Sequence, residues 1–202
     1  MRSPAHRPAR TGSPRSGRGW AAFVRAVPRL ALALAAVLAG LALAACSPVY
    51  RDTATRMVPV AELDLARYAG RWYEIAHFPV PFQEGCTATT ADYALRPDGA
   101  VTVINSCRRG HPEGPLSRIS GEARPVGPGQ LAVRLGRIPF SAPYWVLWVA
   151  PDYGTAVVGV PSGRAGWILH RSPEIPPARL AEAEAVLRAN GYDPARLVPT
   201  RH

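Results

Sequence analysis

Lysine is missing altogether: all 24 basic residues of this 202-residue chain are arginine. Acidic residues are missing from the first 45 positions, where seven arginines lie (Arg2, Arg7, Arg10, Arg15, Arg18, Arg25 and Arg29). The remainder carries 17 arginines against 14 acids, a balance of only +3, so the formal charge of +10 belongs mainly to the N-terminal stretch. A surface that tracks phosphates would show runs or stripes of basic residues. Neither occurs, which argues against a nucleic-acid partner. Also absent are a Gly-x-Ser-x-Gly elbow, a His-Glu-x-x-His helix and any Cys-x-x-Cys pair. The nucleophile, zinc and redox sites these motifs build are therefore not expected. "GPGQLA" (127–132) fits a Gly-x-Gly-x-x-Ala spacing, but Pro128 sits inside it and a strand pattern follows, so it reads as a turn. His77, His111 and His170 fall in separate elements without ligand spacing, and no metal or cofactor is expected. Asp64, Glu74 and Glu84 are the acids one could imagine as a catalytic pair, but nothing in the sequence sets two of them across a substrate.

No apolar run is long enough to span a bilayer as a helix. The longest, Leu30 to Ala45, falls short of the roughly 20 residues required. It follows a basic stretch and ends in small residues, which is the pattern of a secretory signal over residues 1–45. "LAAC" (43–46) resembles a bacterial lipobox. That resemblance makes Cys46 the lipidated N-terminus after cleavage, with an ordinary signal and an incidental cysteine as the alternative. Ser47 after it favours sorting to the outer membrane. Residues 46–61 show no period and read as a flexible tether, with the folded part beginning near Glu62. About 140 residues remain for a domain, enough to bury a core without staples.

Glycine and proline together number 40, too many for long helices and well suited to frequent turns. Short β-branched or aromatic runs recur near 70–78, 86–96, 100–108, 117–125, 129–136, 144–150, 154–161 and 166–171. Eight such strands without intervening helices have the spacing of an all-β barrel or sandwich, and eight antiparallel strands closed into a barrel leave room for core side chains or one small ligand. Cys86 and Cys107 flank two alternating runs joined by Pro97-Asp98-Gly99. A hairpin about that turn brings the two sulfurs near each other if a bulge absorbs a few residues of register. A disulfide, two free thiols and a Cys–His pair with His111 are the readings in that order, since export favours oxidation. One helix is expected at 176–190, with Pro at its entry, Arg188 in its last turn and Gly191 past its end. Leu180, Ala183, Val186 and Leu187 form its apolar stripe, which would cover the outside of the sheet.

"GRWYEIA" (70–76) resembles the first conserved motif of the lipocalins. "APDYGTAVVGVP" (150–161) and "GWILHRSPEIP" (166–176) resemble the second and third, and "SAPYWVLWV" and "NGYDPARL" are similar to the apolipoprotein D and bacterial branch. The resemblance runs in order over residues 62–200. It implies an eight-stranded up-and-down β-barrel, all-β in class, with one helix outside and a cup open at one end. Gly70, Trp72 and Arg171 would close the other end, with Arg171 stacked on Trp72. The resemblance together with strand alternation puts Tyr93, Val103, Asn105, Trp145 and Leu147 on the cavity wall, and Tyr144 and Trp148 outside. Glu74 shares the phase of Trp72 and would be an acid inside the cup unless a bulge turns it out. The function implied is a lipid-anchored protein on the periplasmic face of the outer membrane, as a monomer or weak dimer. It would bind a fatty acid, a lysophospholipid or a similar molecule without catalysis. An enzyme on the same barrel acting on a lipid or carotenoid-like substrate is the alternative, and a structural lipoprotein with a collapsed barrel a third.

Overall fold

Turn residues separate every strand from the next, and each strand pairs with its sequence neighbour. The computed structural model describes residues 48–202. The expected signal at 1–45 and the lipidation site Cys46 lie outside the described residues. The strands are β1 (Gly70–His77), β2 (Cys86–Leu95), β3 (Val101–Arg109), β4 (Leu116–Gly127), β5 (Gln130–Leu135), β6 (Ala142–Val149), β7 (Thr155–Gly159) and β8 (Gly166–His170). All are antiparallel, and β1 pairs with both β2 and β8, which closes the barrel. A one-turn helix, α1 (Leu65–Tyr68), leads into β1, capped by Asp64 Oδ1 accepting from the Ala66 and Arg67 amides.

Closure is incomplete at one place, and the chain fills it from elsewhere. β1 pairs with β2 only over Gly70–Tyr73, after which the two strands part. A ninth strand, β9 (Val198–Pro199), pairs with Ala76 and His77 of β1. The Thr200 amide then donates to Ile75 O, while the Ala88 amide donates to Arg201 O from the other side. The last few residues of the sequence thus make up the missing wall.

β7 explains why "TAVVG" carries no charge: all five of its residues are buried. Ala156 and Val158 face inward, while Val157 meets helix α2 (Pro177–Ala189) on the outside. Ala183 and Leu187 of α2 are fully buried against Leu147, Val157 and Ile168, with Leu180 and Val186 packed beside them, so the expected stripe does cover the barrel. Gly191, at φ +83°, ends the helix by donating its amide to Arg188 O.

The stretch expected to be a tether is part of the fold from Pro48 onward. Tyr50 and Met57 are buried in the same outer core as α2. The Tyr50 amide donates to Gly163 O, the Asp52 amide to Gly191 O, and the Asp193 amide to Tyr50 O. Arg51 is 8% exposed and gives its guanidinium to the carbonyls of Asn190, Pro161 and Thr55. These contacts are irregular in sequence, so no period announces them. Pro48–His202 forms one unit with its own closed barrel and core.

Cys86 and Cys107 form a disulfide with a Cα separation of 5.4 Å. The expected bulge is present: Thr87 faces Arg108 and Thr90 faces Ser106, so two residues of β2 oppose Cys107 alone. Ala88 takes a left-handed φ of +46° to make it. Reduction of this bond, whose ends are 21 residues apart, is expected to lower unfolding stability by about 3 kcal/mol. Urea titration with and without reductant measures this, and native protein should show no alkylatable thiol at either position.

Candidate functional site

The barrel encloses a cavity of about 600 Å³, and its floor is built from β1, α1 and β8. Trp72 is fully buried at that floor and donates its indole N–H to Tyr68 O at 2.8 Å. The Arg171 guanidinium lies 3.7 Å from the Trp72 ring centroid. Its Nη2 donates to Arg67 O at 2.8 Å and Ala69 O at 2.9 Å, and its Nη1 to Arg71 O at 2.8 Å. It ties the turn before β1 to the end of β8 and caps the indole at once, so Gly70, Trp72 and Arg171 come together as expected. Gly70 is needed here for two reasons: its φ is +94°, and a Cβ would stand 3.3 Å from Arg171 Nη1.

Above the floor the walls are mostly apolar, with Val101, Val103, Leu131 and Leu169 among the lining residues. Tyr93, Val103 and Asn105 lie on the wall as the sequence predicts. Trp145 and Leu147 do not. They belong to the outer core under α2, and Tyr144, expected outside, faces the cavity instead. Strand β6 has the opposite phase from the one expected, with Tyr144 and Val146 inward, and its register shifts between Val146 and Trp148. Trp148 lies on the outer side as expected, packed against the α2 core with Arg179 5.9 Å from its ring centroid.

Glu74 follows Trp72 into the interior, 4% exposed and on the cavity wall. The bulge in β1 falls after it, between Glu74 and Ala76, so it does not turn the acid out. Its carboxylate accepts from Gln83 Nε2 at 2.6 Å and Thr200 Oγ1 at 2.7 Å, with His77 Nδ1 at 3.0 Å. Gln83 in turn accepts from Trp167 Nε1 at 2.8 Å. One buried acid therefore joins the first rim loop to the residues that fill the β1–β2 gap, which makes it a wall fastener.

Polar atoms without partners are the second signal of a site. Asn105 Oδ1 and Thr89 Oγ1 are both buried without a hydrogen bond, and both residues line the cavity. Thr89 had no signal in the sequence, because its direction is set by the bulge beside it. Deeper, Tyr68, Tyr93 and Tyr144 bring their hydroxyls together: Tyr144 is 2.9 Å from Tyr68 and 3.1 Å from Tyr93. Burial pushes the Tyr93 phenol up to about 12 and the other two well above the ordinary value. At the other end Phe82 and Phe140 stand on the rim at 67% and 71% exposure. Among the described residues no group of His, Cys, Asp and Glu side chains could hold a metal ion.

Comparison with known proteins agrees with this architecture. Residues 63–202 match the family model described as a lipocalin-like domain. The chain is 36% identical to temperature-induced lipocalin-1 of Arabidopsis thaliana over 152 residues, 71% of this chain and 82% of that one. It is 35% identical to apolipoprotein D of Bos taurus over 154 residues, 70% of this chain and 79% of that protein. Among solved structures, insecticyanin of Manduca sexta superposes with a TM-score of 0.58 at 22% identity, covering 77% of this chain and 87% of that one. Lobster apocrustacyanin A1 does so with a TM-score of 0.55 at 21% identity, covering 72% and 90%, and both likenesses concern the fold.

Replacing Arg171 by Lys keeps the charge but loses the planar fork that serves several carbonyls. The expected loss is about 2 kcal/mol of unfolding stability. Urea unfolding followed by Trp fluorescence checks it.

Proposed function

The chain belongs to the lipocalin family, and on that premise we propose that it holds one small hydrophobic or amphiphilic molecule, of the fatty-acid or lysophospholipid kind, in the barrel. The observation that carries the reading is a cavity of about 600 Å³ whose mostly apolar wall leaves Asn105 Oδ1 and Thr89 Oγ1 unpartnered. An interior evolved only as a core would fill that volume and pair those atoms. Apolar walls with a few fixed polar groups are what an amphiphile needs: burial supplies affinity and the polar groups supply orientation. Binding without catalysis is part of the same reading.

The anchor forms the second part of the proposal. Cys46, lipidated, would hold the protein on the periplasmic face of the outer membrane. Pro48, two residues on, enters the fold beside the 161–165 loop, where the Tyr50 amide meets Gly163 O. That loop lies at the mouth end, since the Phe78 amide meets Gly166 O just before the rim loop that carries Phe82. The described chain thus enters the fold on the side of the mouth that carries the exposed Phe82 and Phe140, and a membrane-held cup would draw its ligand from the bilayer.

Extraction and mass spectrometry of the protein from its own envelope should recover about one amphiphile per chain. Val103→Trp, which puts an indole into the cavity, should lower that recovery while leaving the fold intact. Failure of the native protein to bind any apolar probe would reject the reading. Cys46→Ala should move the protein from the membrane fraction to the soluble one, and continued membrane association after a salt wash would reject the anchor.

A further inference from the structure

The tyrosines at the cavity floor have more protons than partners. Tyr68, Tyr93 and Tyr144 each bring one O–H donor and two acceptor lone pairs. Their hydroxyls make two contacts, both through Tyr144. Two contacts use two protons, whichever way each hydrogen bond runs, and one phenol O–H is left over. All three residues line the cavity. The unpartnered acceptors of the wall, Asn105 Oδ1 and Thr89 Oγ1, do not take up that proton, since neither has a hydrogen-bond partner.

The surroundings keep the spare donor in its protonated form. Arg171 lies just behind Trp72, and its hydrogen bonds go to the backbone carbonyls of Arg67, Tyr68, Ala69, Arg71 and Tyr153. Among the described residues no carboxylate pairs with it, so its positive charge is not neutralised locally. Its charge acts against the upward push of burial on Tyr68 and Tyr93, while Glu74 on the cavity wall adds to that push at Tyr93 and outweighs Arg171 there. Burial still dominates and holds the phenols in the neutral, donating form at neutral pH. The floor is therefore a neutral O–H donor with one proton to spare, and its natural complement is an acceptor oxygen.

We propose that the Tyr68–Tyr144–Tyr93 cluster is an acceptor-binding subsite that receives the carbonyl or carboxylate oxygen of an apolar ligand, which enters head first with its chain toward the mouth. This rests on the reading that the cavity holds an amphiphile, and it adds the ligand's direction and the chemistry of its inner end. A hydrocarbon gains nothing from the floor, and a molecule whose only polar group stays at the rim leaves the spare proton unused. Any one or two of the three hydroxyls would still leave a proton over, so only loss of all three abolishes the subsite.

The test uses the Pro48–His202 unit, which carries the whole barrel. Three probes are compared in the native protein and in the triple variant Tyr68→Phe, Tyr93→Phe, Tyr144→Phe: diphenylhexatriene as a pure hydrocarbon, hexadecan-2-one, and hexadecanoic acid. The expected result is an affinity for the ketone and the acid that falls about tenfold in the variant while the hydrocarbon binds as before. A fall for the acid alone assigns the site to carboxylates, and a fall for the ketone alone to neutral carbonyls. Equal affinities for all three probes in both proteins overturn the proposal and leave the cavity reading standing. If no probe binds the native protein, both fall. Should the variant not fold, the infrared stretch of a 13C-labelled ketone bound to native protein decides: a lowered frequency supports the subsite, and a frequency equal to that in alkane refutes it.

Discussion

Everything in this barrel is organised around one cation set against one indole. Arg171 over Trp72 closes the floor, and with the floor closed the interior becomes a cup with a single opening. The pair also bridges the ends of the barrel in sequence, because these hydrogen bonds of Arg171 run to carbonyls 100 to 104 residues earlier. A guanidinium is suited to this place: its planar fork serves several acceptors at once, and it stacks on an aromatic face as an ammonium does not. Gly70 lets the backbone come close enough for the contact. The remaining features, from the tyrosines above the indole to the open rim, take their positions from that fixed point.

The cavity wall is built by a different logic, in which local irregularities choose the polar atoms. The bulge opposite Cys107 accommodates the disulfide and also sets the direction of Thr89. The bulge in β1 falls one position too late to expel Glu74, which remains inside as a fastener. Both irregularities lie near the gap between β1 and β2, where regular pairing stops. Regular strands supply the apolar surface here, while the departures from regularity supply its chemistry.

Much of this was legible in the sequence, for identifiable reasons. The strands announced themselves because glycine, proline and aspartate punctuate each one, and the helix because its stripe and terminal residues agree. The disulfide followed from a hairpin with a clear turn. Trp72 and Arg171 were legible through the family motifs. Strand β6 was read in the wrong phase because "PYWVLW" offers large aromatics to both faces: Tyr144 to the cavity and Trp145 to the helix. Alternation cannot choose between faces that are both buried. The Pro48–Glu62 segment misled for the opposite reason. Its anchors, Tyr50, Arg51 and Met57, are few and unevenly spaced, and they are held by backbone carbonyls of distant loops. The partners of the Glu74 carboxylate lie up to 126 residues away, a separation no local pattern can encode.

The gap between β1 and β2 has a consequence in time. β1 is the first strand of the barrel to be made, yet two of its neighbours, β8 and β9, are the last. A growing chain can form the β2–β3 hairpin and its disulfide early, since that loop closes over a short span. It cannot finish the wall until the residue that meets Glu74 has emerged. Until then one edge of β1 is an open template for pairing, next to an unfinished apolar interior. The barrel therefore closes in a late, long-range step, and the chain is most exposed to aggregation in the interval before β9 and Thr200 reach β1.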